Sequence, residues 1–202
     1  KLEGEQLDMS LLEFWEDQLV GDGAFIYQKR KEFIEQLTPI FNVYYSQISC
    51  SADTVSFDYI SQLNDGNFTE LMRKNRHRDM AIGHTTTGIH RDELEMLLDG
   101  FPIKKVGSQG QNKTFFVSLK LAQFKYLLEI GGSTPILLLD DIFDRLDAIR
   151  VEEIVKLVSG PEFGQIFISD TNRESLDRIL DRLNNSYNIY NVLDGEVNIM
   201  LR

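Results

Sequence analysis

Hydrophobic and polar positions divide this chain into stretches of different periodicity. From about Leu7 to Ile48, the residues Leu12, Trp15, Leu19, Ile26, Phe33, Leu37, Phe41 and Tyr44 recur at helical spacings, which predicts one long amphipathic helical region. Thr38-Pro39 and Gly21-Asp22-Gly23 fall inside it. The proline predicts a kink or a fresh start, and the glycines a second weak point. The expected shape is a helical arm rather than a compact bundle. Val55, Phe57 and Tyr59 then alternate with polar residues, as in a short strand. "NFTELMRKNRHRD" has a helical pattern with Asn67 or Thr69 near its cap. Met80 to Val106 predicts strands broken by turns, with Asp99-Gly100 as a hairpin signal.

After Ser108 the pattern changes to a helix, roughly Gln111 to Ile130. Phe115, Leu119, Ala122 and Tyr126 form one face, and Phe116, Phe124 and Leu127 widen it, so burial on two sides is expected. Gly131-Gly132 ends the helix. A buried strand (Ile136 to Leu139), a helix (Ala148 to Val158), a strand (Gln165 to Ser169) and a helix (Arg173 to Arg182) follow. A closing strand pair, Tyr187 to Leu193 and Glu196 to Leu201, turns on Asp194-Gly195. This alternation predicts an α/β arrangement with parallel pairing. The sequence carries no internal repeat and no low-complexity segment.

Composition narrows the picture. The 202 residues suit one large domain or two lobes. No run approaches the ~18 apolar residues that a membrane span requires. Cys50 is the only cysteine, so an internal disulfide is excluded and a reducing, cytoplasmic compartment is expected. The net charge of −11 disfavours a non-specific grip on nucleic acid, which depends on basic groups neutralising phosphates. "RKNRHR" (Arg73, Lys74, Arg76 and Arg78 among its bases) is a local exception. It is either a solvated helix end or a contact for DNA or a partner.

Candidate chemistry sits in two places. "PILLLDD" runs an apolar strand into Asp140 and Asp141. In an open parallel sheet, ligands gather at the carboxyl ends of strands. Two adjacent carboxylates there repel, so a cation or a shared proton is expected. A hard oxygen-liganded ion such as Mg²⁺, carrying phosphate oxygens, satisfies both acids. This is a Walker B pattern, although a helix cap beside a surface charge has the same spelling. "GSQGQ" (Gly107 to Gln111) stands immediately before a long helix. Its serine hydroxyl, its glycine and the free N–H groups of the helix start make an anion site. Alone, it equally describes a serine-capped helix.

Three motifs in sequence, "TTTGIHRDELE" (Thr85 to Glu95), "GSQGQNKTFFVSLKLAQFKYLLE" and "PILLLDDIFDRLD", resemble the RecF family. These are bacterial recombination-mediator ATPases related to the heads of Rad50 and SMC proteins. The resemblance is strong from about Ala81 to Thr171 and weaker over the arm. It implies a partial P-loop NTPase of the ABC/SMC-head type with an α-helical arm. Residues 1–132 would be the arm and signature-helix lobe, and residues 133–202 the part of the ATPase lobe with Walker B and D-loop.

In such proteins two heads sandwich ATP. The resemblance implies that Ser108, Gln109 and Gly110 bind in trans the γ-phosphate held by the other subunit, with Gln111 supporting the turn. It implies that Asp140 coordinates Mg²⁺ and that Asp141 stands where many relatives carry the glutamate that orients attacking water. Asp141 is one methylene shorter, which implies slow hydrolysis. Leu146 and Asp147 match the D-loop, which crosses the dimer interface. Where transporters place a switch histidine, this chain offers Ser169, Asp170 and Thr171. Ile89 replaces the proline usual before His90-Arg91-Asp92; this loop would order the signature region or touch the other subunit. His84, His90 and Asp92 fit no standard zinc spacing.

The implied activity is that of an ATP-dependent homodimer acting on single-stranded and gapped duplex DNA, a weak DNA-dependent ATPase. It would help load recombinase together with partners such as RecR and RecO, in recombinational repair, replication restart and the SOS response. A Rad50- or SMC-like structural head and a non-catalytic interaction module are the alternatives. No glycine in the chain is followed by lysine, so the GxxxxGK[ST] phosphate loop is missing. Together with the start at Lys1-Leu2, this leads us to expect a C-terminal portion of a longer protein. The chain by itself is expected to bind ATP poorly and hydrolyse none. Isothermal titration showing micromolar affinity would contradict that.

Overall fold

The structure is a computed structural model that describes residues 9–64, 66–141, 146–171 and 187–200. The chain divides into two compact units, Lys1–Tyr126 and Leu127–Arg202.

The first unit begins with α1, Met9–Ser49. It runs through both glycines and through Pro39 without a break, against the expectation of a kink or restart. Thr38 donates its hydroxyl to the Ile34 carbonyl at 2.6 Å, an added bond one residue before the Glu35 carbonyl that Pro39 cannot serve. Burial on both sides of the proline, at Leu37, Phe41, Tyr44, Tyr45 and Ile48, holds one helical register. Gly23 has a packing reason: a Cβ there would lie 2.4 Å from Cε1 of buried Phe68. The outer part of α1 leaves Leu11, Phe14, Trp15, Leu19 and Phe25 exposed.

Strand β1 (Val55–Ile60) pairs antiparallel with β2 (Glu93–Leu98), which pairs with the two-residue β3 (Phe101–Pro102). The β2–β3 turn has positive φ at both Asp99 and Gly100, as a tight hairpin with the sheet's own twist requires. Asp99 also accepts from the Thr54 amide at 2.8 Å and the Thr54 hydroxyl at 2.9 Å. Beyond Pro102 the expected strand is replaced by α3, a single turn at Ile103–Val106. Proline has no N–H to extend the ladder, and Ile103 turns inward to 3% exposure.

Between β1 and β2, α2 (Phe68–Ile82) is capped by Asn67, whose side chain accepts from the Thr69 amide. Gly83, in the left-handed region, closes it. Met80 to Ile82 therefore belong to this helix rather than to a strand. A 3-10 turn, Ile89–Arg91, precedes β2.

The core of this unit is aromatic. Phe41 and Tyr45 of α1, Phe57 of β1 and Phe115 of the long helix α4 (Gln109–Gly131) meet with ring centroids 4.6 to 6.0 Å apart. Phe41 is completely buried and Phe115 is 2% exposed. The wide apolar circumference expected of α4 is only partly covered: Phe115, Val117, Leu121, Ala122 and Phe124 are buried, whereas Phe116 and Leu127 are exposed.

In the second unit, β4 (Leu137–Asp140) and β5 (Ile166–Ser169) pair in parallel around the intervening helix α5 (Ala148–Val158). The expected full burial of β4 holds for one face. Leu137 and Leu139 are buried, but Ile136 and Leu138 are exposed, as is Phe167 of β5. A helix that follows a parallel strand covers one face, and the described residues supply only these two strands to the sheet. The expected helix at Arg173 to Arg182 lies outside the described residues. Strands β6 (Ile189–Leu193) and β7 (Glu196–Met200) form the expected closing hairpin, with positive φ at Asp194 and Gly195.

The aromatic cluster dictates the stability prediction. Phe41→Ala removes the ring that touches three others and should cost about 3–5 kcal/mol. A lowered urea midpoint with an unchanged slope checks this.

Candidate nucleotide site

The signature turn owes its shape to the residues around it. Gly107 follows α3, and its amide donates to the Ile103 carbonyl at 2.8 Å. A Cβ at Gly107 would stand 2.7 Å from that carbonyl oxygen and 2.9 Å from Nδ2 of Asn112, so only glycine fits. Ser108 and Gln111 then form a reciprocal capping box. The Gln111 amide donates to Ser108 Oγ at 3.2 Å, and the Ser108 amide donates to Gln111 Oε1 at 3.0 Å. Asn112 Nδ2 donates to the Gly107 and Ser108 carbonyls, each at 2.9 Å.

This arrangement has a chemical consequence. Ser108 Oγ already accepts a hydrogen bond, which leaves its own proton to donate outward. Gln109 and Gly110 occupy the first turn, where the helix supplies no carbonyl for their amides. The serine and Gln109 are exposed. One hydroxyl and a helix N-terminus thus face solvent together, a donor set suited to an anion. The proposed supporting role of Gln111 has a physical form: its side chain closes the turn.

The acidic strand end is organised by a residue on the neighbouring strand. Asp140 is opposite Ser169 in the β4–β5 register. The Ser169 hydroxyl donates to Asp140 Oδ1 and accepts from the Asp141 amide, the latter at 3.1 Å. Asp141 has φ of 45°, a left-handed conformation that aspartate tolerates better than most residues; it ends the strand abruptly. Both carboxylates are exposed. Of the switch candidates, Ser169 bonds to both acids; Asp170 and Thr171 follow it in the chain. Asp147 caps α5, accepting from the Arg150 amide at 3.0 Å and pairing with the Arg150 guanidinium at 3.1 Å. Leu146 is half-buried beside it.

The remaining candidates divide. Arg76 is drawn onto α1, donating to Glu16 at 3.0 and 2.5 Å and to Glu13 at 3.4 Å, which raises its pKa further. Its side chain is 19% exposed. Arg73, Lys74 and Arg78 are exposed on α2. His90 Nε2 lies 3.2 Å from the Thr85 carbonyl. Asp92, 2% exposed, pairs with Arg30 at 3.0 Å and accepts from Tyr59 at 2.5 Å. Arg30 also donates to the Ile89 carbonyl at 2.7 Å. The histidine loop is thus tied to α1 and β1, and Asp92 belongs to an ion pair rather than a metal site. Among the described residues no group of three His, Cys, Asp or Glu side chains could hold a metal ion. No described helix is long and apolar enough to cross a membrane.

Sequence reasoning missed Arg30, Tyr59 and Asp53. Asp53 accepts from Gln111 Nε2 at 3.0 Å and lies 3.5 Å from the Tyr45 hydroxyl. None of the three sits in a motif; Tyr59 shows in the sequence only as an alternating strand position, and no pattern marks Arg30 or Asp53.

No family model matches the chain. Among solved structures, RecF with ATP, described as a recombination mediator of the RecFOR pathway, aligns with a TM-score of 0.78 at 25% identity. It covers 98% of this chain and 52% of that one. An SMC head bound to the C-terminal winged-helix domain of ScpA aligns at 0.50 and 16% identity over 84% of this chain, a likeness of fold alone. The fold is therefore that of part of a P-loop ATPase head of the ABC and SMC type, with a long helix. The chain is 53% identical over 199 residues to the DNA replication and repair protein RecF of Parabacteroides distasonis, covering 98% of this chain and 54% of that protein. It is 52% identical over 186 residues to RecF of Bacteroides thetaiotaomicron, covering 92% of this chain and 50% of that protein. The chain belongs to the RecF family. It spans about half the length of the curated relatives it matches.

The cluster around Asp92 has a pH signature. Burial, and then the bond to Asp92, push the Tyr59 pKa from 10.0 up to about 12. A pKa raised by folding means that this contribution to stability is complete below about pH 10 and is lost as pH climbs through about 12. Ultraviolet titration of phenolate should show one late-ionising tyrosine that Tyr59→Phe removes; an unchanged curve would contradict the assignment.

Proposed function

We propose that this chain carries the signature and Walker B elements of an ATP-driven DNA clamp that acts in recombinational repair and replication restart. ATP would join two protomers, with Ser108 and the Gln109 and Gly110 amides of one meeting the γ-phosphate bound by the other. The observation that carries this reading is the reciprocal Ser108–Gln111 turn, which leaves a hydroxyl proton and first-turn amides directed at solvent in a RecF-family chain.

The residues at the strand end fit a nucleotide-bound Mg²⁺. Magnesium usually takes one or two carboxylates and completes its shell with water and phosphate, so two exposed acids are enough. Asp140 would face the ion while its Oδ1 is held by Ser169. When bound, the ion would neutralise phosphate charge. Asp141 would orient water, and its short side chain places the carboxylate less far forward than a glutamate would. Ser169 stands in for the switch histidine, held between the two acids; Asp147 and Leu146 would contribute at the dimer interface. Arg73, Lys74 and Arg78 would offer phosphate contacts, whereas Arg76 serves the α1–α2 packing. Gapped duplex and single-stranded DNA, with RecR and RecO as partners in recombinase loading, complete the proposal.

The energetic logic is a shift of population. ATP adds contacts that only the dimer makes, so it favours the closed form. A non-catalytic module would show no such dependence. In the complete gene product, Ser108→Ala and Asp140→Asn should each abolish ATP-dependent dimerisation in analytical ultracentrifugation. Dimerisation persisting in both would refute the clamp. Hydrolysis should be slow, and turnover near the ~10 s⁻¹ typical of enzymes would overturn the role given to Asp141.

A further inference from the structure

The side chain of Gln111 can close the signature turn in only one of its two amide orientations. Its Oε1 must face the Ser108 N–H, because the reverse orientation would place one donor against another. From within the turn, the Ser108 N–H already favours that orientation. Asp53, in the segment between α1 and β1, locks it from outside the turn: its Oδ2 accepts from Gln111 Nε2 at 3.0 Å. An ionised carboxylate only accepts hydrogen bonds, so the amide nitrogen must turn toward it. The oxygen is then left for Ser108. The Tyr45 hydroxyl, 3.5 Å from the same Asp53 oxygen, belongs to a side chain that is 1% exposed in the aromatic core.

We propose that Asp53 is a positioning residue for the signature serine: it fixes the Gln111 side-chain amide against the Ser108 N–H and thereby holds the closed turn, in which the Gln111 backbone N–H bonds Ser108 Oγ and leaves the hydroxyl proton to donate outward. The inference rests on the reading of Ser108 as the contact to a nucleotide phosphate in trans. It adds a residue outside every motif, 55 positions before the serine by the numbering.

The test uses four variants of the complete gene product beside Ser108→Ala. Asp53→Ala removes the acceptor, Asp53→Asn keeps one, and Gln111→Glu sets two carboxylates against each other. In the double variant Asp53→Asn with Gln111→Glu, donor and acceptor exchange places, and a glutamate oxygen still accepts from Ser108. ATP-dependent dimerisation should weaken about tenfold or more in Asp53→Ala and Gln111→Glu, as loss of a charge-assisted hydrogen bond implies. It should stay near the wild-type level in Asp53→Asn and return in the double variant. Affinity of the monomer for ATP should not move. Hydrogen exchange should accelerate over residues 108–112 in Asp53→Ala, the reporter of a loosened turn.

If Ser108→Ala abolishes dimerisation and Asp53→Ala does not, the role of Asp53 is refuted while the signature reading stands. If Ser108→Ala dimerises normally with ATP, both fall. Should Asp53→Ala fail to fold, the exchange pair decides. A double variant no better than Gln111→Glu alone overturns the proposal.

Discussion

The contact between Phe41 and Phe115, with ring centroids 4.6 Å apart, is the constraint on which the first unit depends. Phe41 belongs to the inner part of α1 and Phe115 to the second turn of α4, so their packing fixes where α4 begins. Phe57 brings β1 to the same point, and Tyr45 carries the cluster to its edge. Aromatic rings bury large areas in specific edge and tilted geometries, which makes such a junction stiff as well as stable. The turn from Gly107 to Gln111, proposed to meet phosphate, is built on it and inherits that stiffness. The turn itself is exposed and polar, and it could not fix its own position. The sequence order also matters: Gly107, Ser108 and Gln111 lie between the single turn of α3 and Phe115, too few residues to wander.

How much of this was legible in the sequence depends on where the determining forces lie. Local chemistry was legible. The Asp99-Gly100 and Asp194-Gly195 turns, the span of α5, the parallel β4–β5 pair and the serine-led start of α4 all follow from residue type and spacing. Forces that act across the fold were not. Pro39 signals a break, yet buried residues on both sides hold one helix. Gly23 reads as a weak point, yet it exists because Phe68 needs its space. Met80 to Ile82 fall in a stretch whose pattern predicts strands, and the helix running on to the Gly83 cap decides otherwise. The relay from Tyr45 through Asp53 to Gln111 joins residues more than fifty positions apart and leaves no periodic trace.

The two acids at the end of β4 show how a pattern gains meaning from its neighbour. "LLLDD" specifies an apolar strand and two charges. It does not specify Ser169, which comes from the parallel partner and engages one acid by its carboxylate and the next by its amide. Histidine at such a place changes charge near neutral pH, whereas a serine hydroxyl does not ionise there. An edge built this way can orient the acids by hydrogen bonds, but it cannot pass on a protonation state of its own.

Charge sets the terms for DNA binding in the proposed clamp. A chain with net charge −11 is repelled by polyphosphate at long range, and screening confines that repulsion to about 10 Å at moderate salt. Within the proposed clamp, surface attraction by this portion would therefore add little hold on DNA in an open form. The basic run on α2 does not reverse this, because Glu13 and Glu16 compensate Arg76 and leave Arg73, Lys74 and Arg78 to act alone. Three cations release few counterions, so affinity built on them would be small and would depend weakly on salt. In the proposed clamp, retention would come instead from enclosure between two protomers held closed. An acidic chain would make DNA occupancy conditional on the nucleotide that closes the proposed clamp, and a slow hydrolytic acid at Asp141 would make the closed state long-lived.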